Sequence, residues 1–301
     1  MTTPPRFIAE VSSNHHRELD RCQKFVDVAA EIGCHAVKFQ QFKVRKLFAR
    51  EALRAKPKLL ERQEWELPES YNAEIAAHCA ERGVQFSSTP FYLRAVDLLE
   101  PLVDFFKVAS YQVLWSELLR EVGKTGKPVQ LATGMATMDE VRDAVEQLTT
   151  AGAPSVELLH CVSVYPTPAE EANLAAIQSL RSEFGGRVGW SDHSRSPEVV
   201  RRAIHRWEAT TVEFHLDLEG KGEEYSAGHC WLPEEIQVVI EEVARGEEPP
   251  ADAKTGFHVA DGMGVKRPRA AEELERCWRT DPSDGLRPLL ETRRALAENA
   301  A

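Results

Sequence analysis

"AEVSSNHHRELD", residues 9–20, follows a short apolar run and contains no glycine. A doubly wound nucleotide-binding sheet carries its glycine-rich phosphate turn at this point, directly after the first strand. Without that turn, the strand and helix signals downstream read as a closed barrel rather than an open sheet. Eight β-type runs follow one another: "RFIAEVS", "HAVKFQQF", "VQFSSTPF", "DFFKVAS", "PVQLATG", "SVELLHCVS", "RVGWSDHS" and "TTVEFHLD". Amphipathic segments such as "LDRCQKFVDVAAEIG" and "MDEVRDAVEQLTTAG" separate them. Both place apolar residues three and four apart and close on a glycine suited to a helix C-cap. The runs recur mostly every 20–30 residues or so, the spacing that parallel βα repeats require. Eight units in about 240 residues predict an α/β fold of the (β/α)8 TIM-barrel type.

Composition narrows the function. The chain has 301 residues, 43% of them hydrophobic and 28% charged, the balance of an ordinary globular protein with a sizeable core. A net charge of -11 argues against nucleic acid or an anionic membrane as principal partner. The opening "MTTPPRF" lacks a signal-peptide pattern, and no apolar run is long enough to span a bilayer. Six scattered cysteines form no CxxC pair and read as reduced, mostly packing thiols. A cytoplasmic setting is therefore expected. Residues 1–248 are assigned to the barrel. Residues 249–301 read as a C-terminal extension, too short for much of a core of its own, that packs on the barrel or on a partner subunit. Its "PPADAKTG" reads as a linker, and Trp278 with "DPSDGLRP" as a capping or interface segment. Residues 43–83 contain an enlarged βα loop, of the sort that often covers an active site.

In a barrel the catalytic groups project from the C-terminal strand ends. Those ends carry Glu10, then Lys38 and Gln40, then Thr89 and Phe91, then Lys107 and Ser110. They continue with Ser163 and Tyr165, Ser191 with Asp192 and His193, and finally Glu213, His215 and Asp217. A charged group inside a β run is costly unless paired or ligated. One such lysine could simply pair with a barrel carboxylate. Two, Lys38 and Lys107, with several hydroxyls around them, predict a pocket for a small phosphate- or carboxylate-bearing ligand. A lone strand-end histidine is more often a hydrogen-bonded core residue than a metal ligand. His193 and His215, however, end adjacent strands, and each has a carboxylate neighbour able to orient an imidazole or complete a metal shell. Two imidazoles with oxygen donors suit a borderline divalent ion such as Mn²⁺, Fe²⁺, Co²⁺ or Zn²⁺. His160, inside "ELLHCVS", is expected to point into the barrel as a hydrogen-bonded residue.

The runs "FIAEVSSNHH", "AVKFQQFK", "FSSTPF", "FKVAS", "LATGMATMDEV", "LLHCVSVYPTP", "VGWSDHS" and "VEFHLD" occur in this order and resemble the sialic acid synthase (N-acetylneuraminate synthase) family over residues 6–240. The resemblance covers the barrel only and does not extend to the antifreeze-like domain with which family members usually end. It implies condensation of phosphoenolpyruvate with the aldehyde of an N-acyl amino sugar, giving a sialic-acid-like 2-keto sugar acid in carbohydrate biosynthesis. It implies a divalent metal, most often Mn²⁺, with Mg²⁺, Co²⁺ or Zn²⁺ as alternatives, held by His193 and His215. Lys38, Thr89, Lys107, Ser110, Ser163 and Ser191 match positions that hold phosphoenolpyruvate. Glu10 matches a carboxylate near the reacting carbons, and Gln40, Phe91 and Tyr165 match residues lining the site. Three departures stand out: Ala132 replaces a usual serine, Tyr111–Gln112 replace glycine–glutamate, and "EGKGEEYSAGHCWLP" replaces a glycine–proline–aspartate segment. Glu223, Glu224 and Ser226 are the nearest candidates for that aspartate. The metal and phosphoenolpyruvate halves thus carry over better than the sugar half. The rival reading is a non-catalytic or partner-dependent barrel that binds phosphoenolpyruvate-like ligands, its acceptor site lost or supplied in trans. A synthase for another 2-keto-3-deoxy sugar acid is a weaker option, because "SDHS" and "YPTP" fit the sialic acid branch. The family tends to dimerise, which leaves a homodimer open.

Overall fold

A computed structural model describes residues 4–276 of the chain. Eight parallel strands close on themselves in sequence order. They are β1 (Arg6–Glu10), β2 (Ala36–Gln41), β3 (Gln85–Pro90), β4 (Phe105–Val108), β5 (Val129–Ala132), β6 (Val156–His160), β7 (Val188–Asp192) and β8 (Thr211–His215). Each falls within one of the eight runs read from the sequence. The ring is closed by β1 against β8, with Glu10 opposite His215.

Helices return the chain between strands: α1 (Leu19–Glu31), α2 (Tyr71–Arg82), α3 (Leu93–Leu99), α4 (Ser116–Lys124), α5 (Met138–Ala151), α6 (Ala176–Phe184) and α7 (Pro197–His205), with α8 (Pro233–Ala244) after β8. Local chemistry sets their ends. Thr137 caps α5, its hydroxyl accepting from the Glu140 amide while the Glu140 carboxylate accepts from the Thr137 amide, a reciprocal box worth about 1 kcal/mol. Gly33 and Gly152, after α1 and α5, hold φ of +88° and +125°, conformations in which a Cβ would clash.

Alternation along the strands divides the molecule into two interiors. Outward residues such as Phe39, Phe86, Phe106, Trp190 and Phe214 are fully buried against the helices and form the main core. Inward residues fill the barrel in layers. Ile8, Ala36 and Phe105 make a small apolar plug, and the next inward residues toward the strand ends are Glu10, Lys38, Lys107 and Glu213. Charges above an apolar floor place the chemistry at the C-terminal mouth.

Two segments differ from their sequence reading. "PPADAKTG" is not a free linker, because Ala251–Lys254 forms a helical turn tied to α7. The fully buried Arg202 makes a two-pronged pair with Asp261 at 2.9 and 2.7 Å and also donates to the Asp252, Thr255 and Gly256 carbonyls. The enlarged β2–α2 connection contains short helical pieces, Val44–Leu47, Arg50–Ala55 and Pro57–Trp65. Trp278 and "DPSDGLRP" lie outside the described residues. Among the described residues, no helix is long and apolar enough to cross a membrane.

Candidate active site

The inward charges form one balanced cluster. Lys38 pairs with Glu10 and lies 3.6 Å from Glu213, while Lys107 donates to Glu213 at 3.1 Å. The second Glu10 oxygen accepts from the Ser12 amide at 2.7 Å and from Gln40 at 3.1 Å. Burial pushes the Lys38 ammonium down to about 7, a shift that Glu213 opposes. Burial alone would raise the Glu213 carboxyl, but Lys107 and Lys38 hold it below the usual carboxylate range. Hydroxyls ring the cluster: Thr89 accepts from Lys38 at 3.4 Å, and Ser191 donates to Glu213 at 3.4 Å.

Next to it, Ser110 accepts from the Gly134 amide at 2.9 Å, and the buried Ser163 hydroxyl has no partner. A Cβ at Gly134 would lie 2.4 Å from the Ser163 hydroxyl and 2.8 Å from that of Ser110. Only glycine lets these strand ends converge.

The histidines stand on the rim. Ser191 pairs with Glu213 and Asp192 with Phe214, so continuing the register by one residue sets His193 opposite His215. Their ring centroids are 5.4 Å apart. The His193 Nδ1–H donates to the Val162 carbonyl at 2.8 Å, which leaves Nε2 with a free lone pair. Burial lowers His193 well below its ordinary value, so the ring is neutral and able to ligate. Tyr165 packs on it at 4.1 Å. Gln40, Phe91, Tyr111, Tyr165 and His215 line a cavity of about 560 Å³ at the barrel mouth, with Phe48, Lys56 and Trp65 of the β2–α2 connection opposite.

A sequence model of the NeuB family matches residues 25–253. The chain belongs to the NeuB family. It is thereby an enzyme of the phosphoenolpyruvate-dependent sugar acid synthase class. The NeuB chain is 32% identical to the N,N'-diacetyllegionaminic acid synthase of Campylobacter jejuni, over 88% of its own length and 80% of the relative's. Its fold matches a solved N-acetylneuraminic acid synthetase of Leptospira borgpetersenii with a TM-score of 0.75 and 26% identity, covering 91% of this chain and 90% of that one. It matches the spore coat polysaccharide biosynthesis protein SpsE of Bacillus subtilis with a TM-score of 0.79 and 27% identity, covering 92% and 78%.

The barrel brings Glu10, Lys38, Gln40, Thr89, Lys107, Ser110, Ser163, Ser191, His193 and His215 to one end, with Phe91 and Tyr165 at the cavity wall. Three expectations fail. Asp192 does not complete a shell with His193, because neighbours on a strand face opposite ways. Its carboxylate accepts from the indoles of Trp190 and Trp231, each at 3.0 Å, and from Ser194 at 2.6 Å. A backbone carbonyl orients His193 instead. His160 is hydrogen-bonded, donating to the Ala172 carbonyl at 2.9 Å, but it faces the helix layer against Trp190, not the barrel interior. Asp217 likewise turns away from His215 and accepts from the amides of Glu219 and Gly220.

Two features escaped the sequence reading, and a third was left unresolved in it. Glu224, only one of several candidates there, accepts from Ser12 and Ser13 at 2.7 Å each. Burial would raise its carboxyl, but the His215 imidazole and the two hydroxyls bring it down to about 2. His229 sits 4.7 Å from His215, ring to ring, and its only signal was an adjoining cysteine in "GHC". Glu272, from the C-terminal segment, accepts from the Met135 and Ser163 amides at 2.8 Å each and so ties the β5 and β6 loops together.

Proposed function

We propose that this chain condenses phosphoenolpyruvate with the aldehyde of an N-acyl amino sugar, giving a sialic-acid-like 2-keto sugar acid. The observation that carries this reading is the stacking of two half-sites on one mouth: buried Lys38 and Lys107 beneath a rim bearing His193 and His215. In this reading the two ammonium groups bind the phosphate and carboxylate of phosphoenolpyruvate, exchanging contacts with Glu10 and Glu213 for contacts with substrate. Thr89, Ser110, Ser163 and Ser191 complete the anion pocket, and the unpartnered Ser163 hydroxyl is a ready donor. Gln40, Phe91 and Tyr165 shape the space in which the acceptor is held.

The methylene carbon of the enol then attacks the aldehyde carbon, water adds at the adjoining enol carbon, and the resulting tetrahedral centre expels phosphate. Lys38 and Lys107 stabilise the charge on the departing phosphate. Glu10, fixed by Lys38, Gln40 and the Ser12 amide, moves the proton of the added water. His193 and His215 fit a divalent cation, since His193 has a bare Nε2 and the His215 Nδ1 is buried without a partner. Such a cation supplies Lewis-acid polarisation of the aldehyde oxygen. Residues 1–248 act as the catalytic barrel and 249–301 as an extension to it, in a cytoplasmic setting.

The test is phosphate release from phosphoenolpyruvate with Mn²⁺ and a panel of N-acyl aldoses. Release that depends on both aldose and cation is expected. Binding of phosphoenolpyruvate with no release from any aldose would leave only a ligand-binding barrel.

A further inference from the structure

The rim holds more donor groups than the His193–His215 pair. One ligand atom from each of His215, Glu224, His229 and Cys230 lies within 4.8 Å of the others. The chain path explains why. After β8 the backbone makes an excursion and returns beside its own strand end. The Trp231 amide donates to the His215 carbonyl at 2.8 Å and the Asp217 amide to the Trp231 carbonyl at 2.9 Å, a short parallel bridge between Leu216 and Trp231. The Trp231 indole is pinned to Asp192. His229 and Cys230 are thereby held next to His215 by a fixed backbone.

Three of these groups lack partners where they converge. His215 Nδ1, His229 Nδ1 and Glu224 Oε2 are all buried with no hydrogen bond. A buried polar group left this way costs about 1–3 kcal/mol, and three in one place need a common explanation. His215 Nδ1 and Glu224 Oε2 are 3.9 Å apart. That is too long for a hydrogen bond but short enough for two metal–ligand bonds of about 2.1 Å each to reach one ion.

We infer that His229, Glu224 and Cys230 join His215 as metal donors, extending the two-histidine rim into a mixed nitrogen, oxygen and sulfur site. Beside His193, the four donors of this cluster, two imidazoles, a carboxylate and a thiolate, select a borderline transition-metal dication of the Zn²⁺, Co²⁺ or Fe²⁺ type and disfavour Mg²⁺. The Cys230 proton passes to solvent as the sulfur binds. Asp192 acts as a positioning residue, holding the donor segment through Trp231.

The inference rests on the reading of this rim as metal-binding, but its test requires no turnover. Metal-stripped protein is titrated with Co²⁺ alone, followed by calorimetry and by absorption. Affinity order by itself decides nothing, because most such sites prefer Co²⁺ to Mn²⁺; the thiolate-to-metal charge-transfer band is diagnostic. The wild type should show that band, Cys230→Ser should lose it, and His229→Ala should weaken Co²⁺ binding at least tenfold or so, the loss caused even by removing an outer partner of a ligand. Circular dichroism and thermal melting check the fold, with His229→Gln as the alternative variant should His229→Ala unfold. A wild type without the band, or His229 variants that bind Co²⁺ as tightly as the wild type, would overturn the inference. Absence of aldose-dependent phosphate release with the band intact would sink the synthase reading and leave this site standing.

Discussion

The two halves of the barrel mouth are built on opposite principles. In the anion half, every charge already has a partner: Lys38 with Glu10, Lys107 with Glu213, all on rigid strands. In the metal half, His215 Nδ1, Glu224 Oε2 and His229 Nδ1 are buried with no hydrogen bond among them, and two of the three come from the excursion after β8. The first half folds with its lysines and glutamates already paired and must exchange contacts to bind. The second is left incomplete by the polypeptide. An enzyme that binds an anion and a cation side by side can keep the anion side stable without ligand, because lysine and glutamate neutralise each other. A ring of imidazoles around one carboxylate has no such internal solution.

The sharpest way to break this contrast is at Lys107. Lys107→Met removes one cation from a buried pair, which should destabilise the fold by roughly 3–5 kcal/mol and lower phosphate release about 10²–10³-fold. Adding Glu213→Gln should restore the urea midpoint but not the activity. If activity returned with stability, the lysine would be structural only.

Asp192 probes the other half from a distance. Asp192→Asn disturbs its two indole bonds, and the freed donor segment should weaken Co²⁺ binding roughly 10–100-fold while phosphoenolpyruvate binding stays unchanged. Equal losses of both ligands would show that the halves are not separable.

These two sites also show how far the sequence could be read. The eight strands were legible because apolar runs at regular spacing have few other solutions. The lysines were legible because a charge inside such a run needs a purpose. Asp192 was misjudged because adjacency in sequence means opposite faces on a strand, and His160 because the phase of its strand was assigned the wrong way. His229 and Cys230 could not be placed, since their position depends on the Leu216–Trp231 bridge formed across an irregular excursion. The docking of 251–256 depends on Arg202, some fifty residues earlier, and no local pattern announces it.

A third expected effect falls between the halves and the C-terminal segment. Glu272→Gln puts an amide nitrogen or a weaker acceptor against the Met135 and Ser163 amides, and should cost about 1–3 kcal/mol of stability in denaturant titration. Phosphoenolpyruvate should bind more weakly as the Gly134 and Ser163 loops loosen, with Co²⁺ binding unaffected.

The smallest effect is on pH. The Lys38 ammonium, pushed down by burial to about 7, is fully charged below that pH and loses its proton above it. Phosphoenolpyruvate affinity measured by calorimetry should therefore decline as the pH is raised through about 7. Lys38→Arg, which stays protonated, should flatten the profile. An affinity that rose with pH would contradict the assignment of Lys38 to the anion.

The most direct measurement is a crystal structure with phosphoenolpyruvate and Co²⁺ bound, using anomalous scattering to place the metal. Phosphoenolpyruvate should lie on Lys38 and Lys107, displacing them from Glu10 and Glu213, with the anomalous peak on the rim among His193, His215 and His229. A metal away from the histidines, or phosphoenolpyruvate bound elsewhere with the lysine–glutamate network unbroken, would contradict the two-half site.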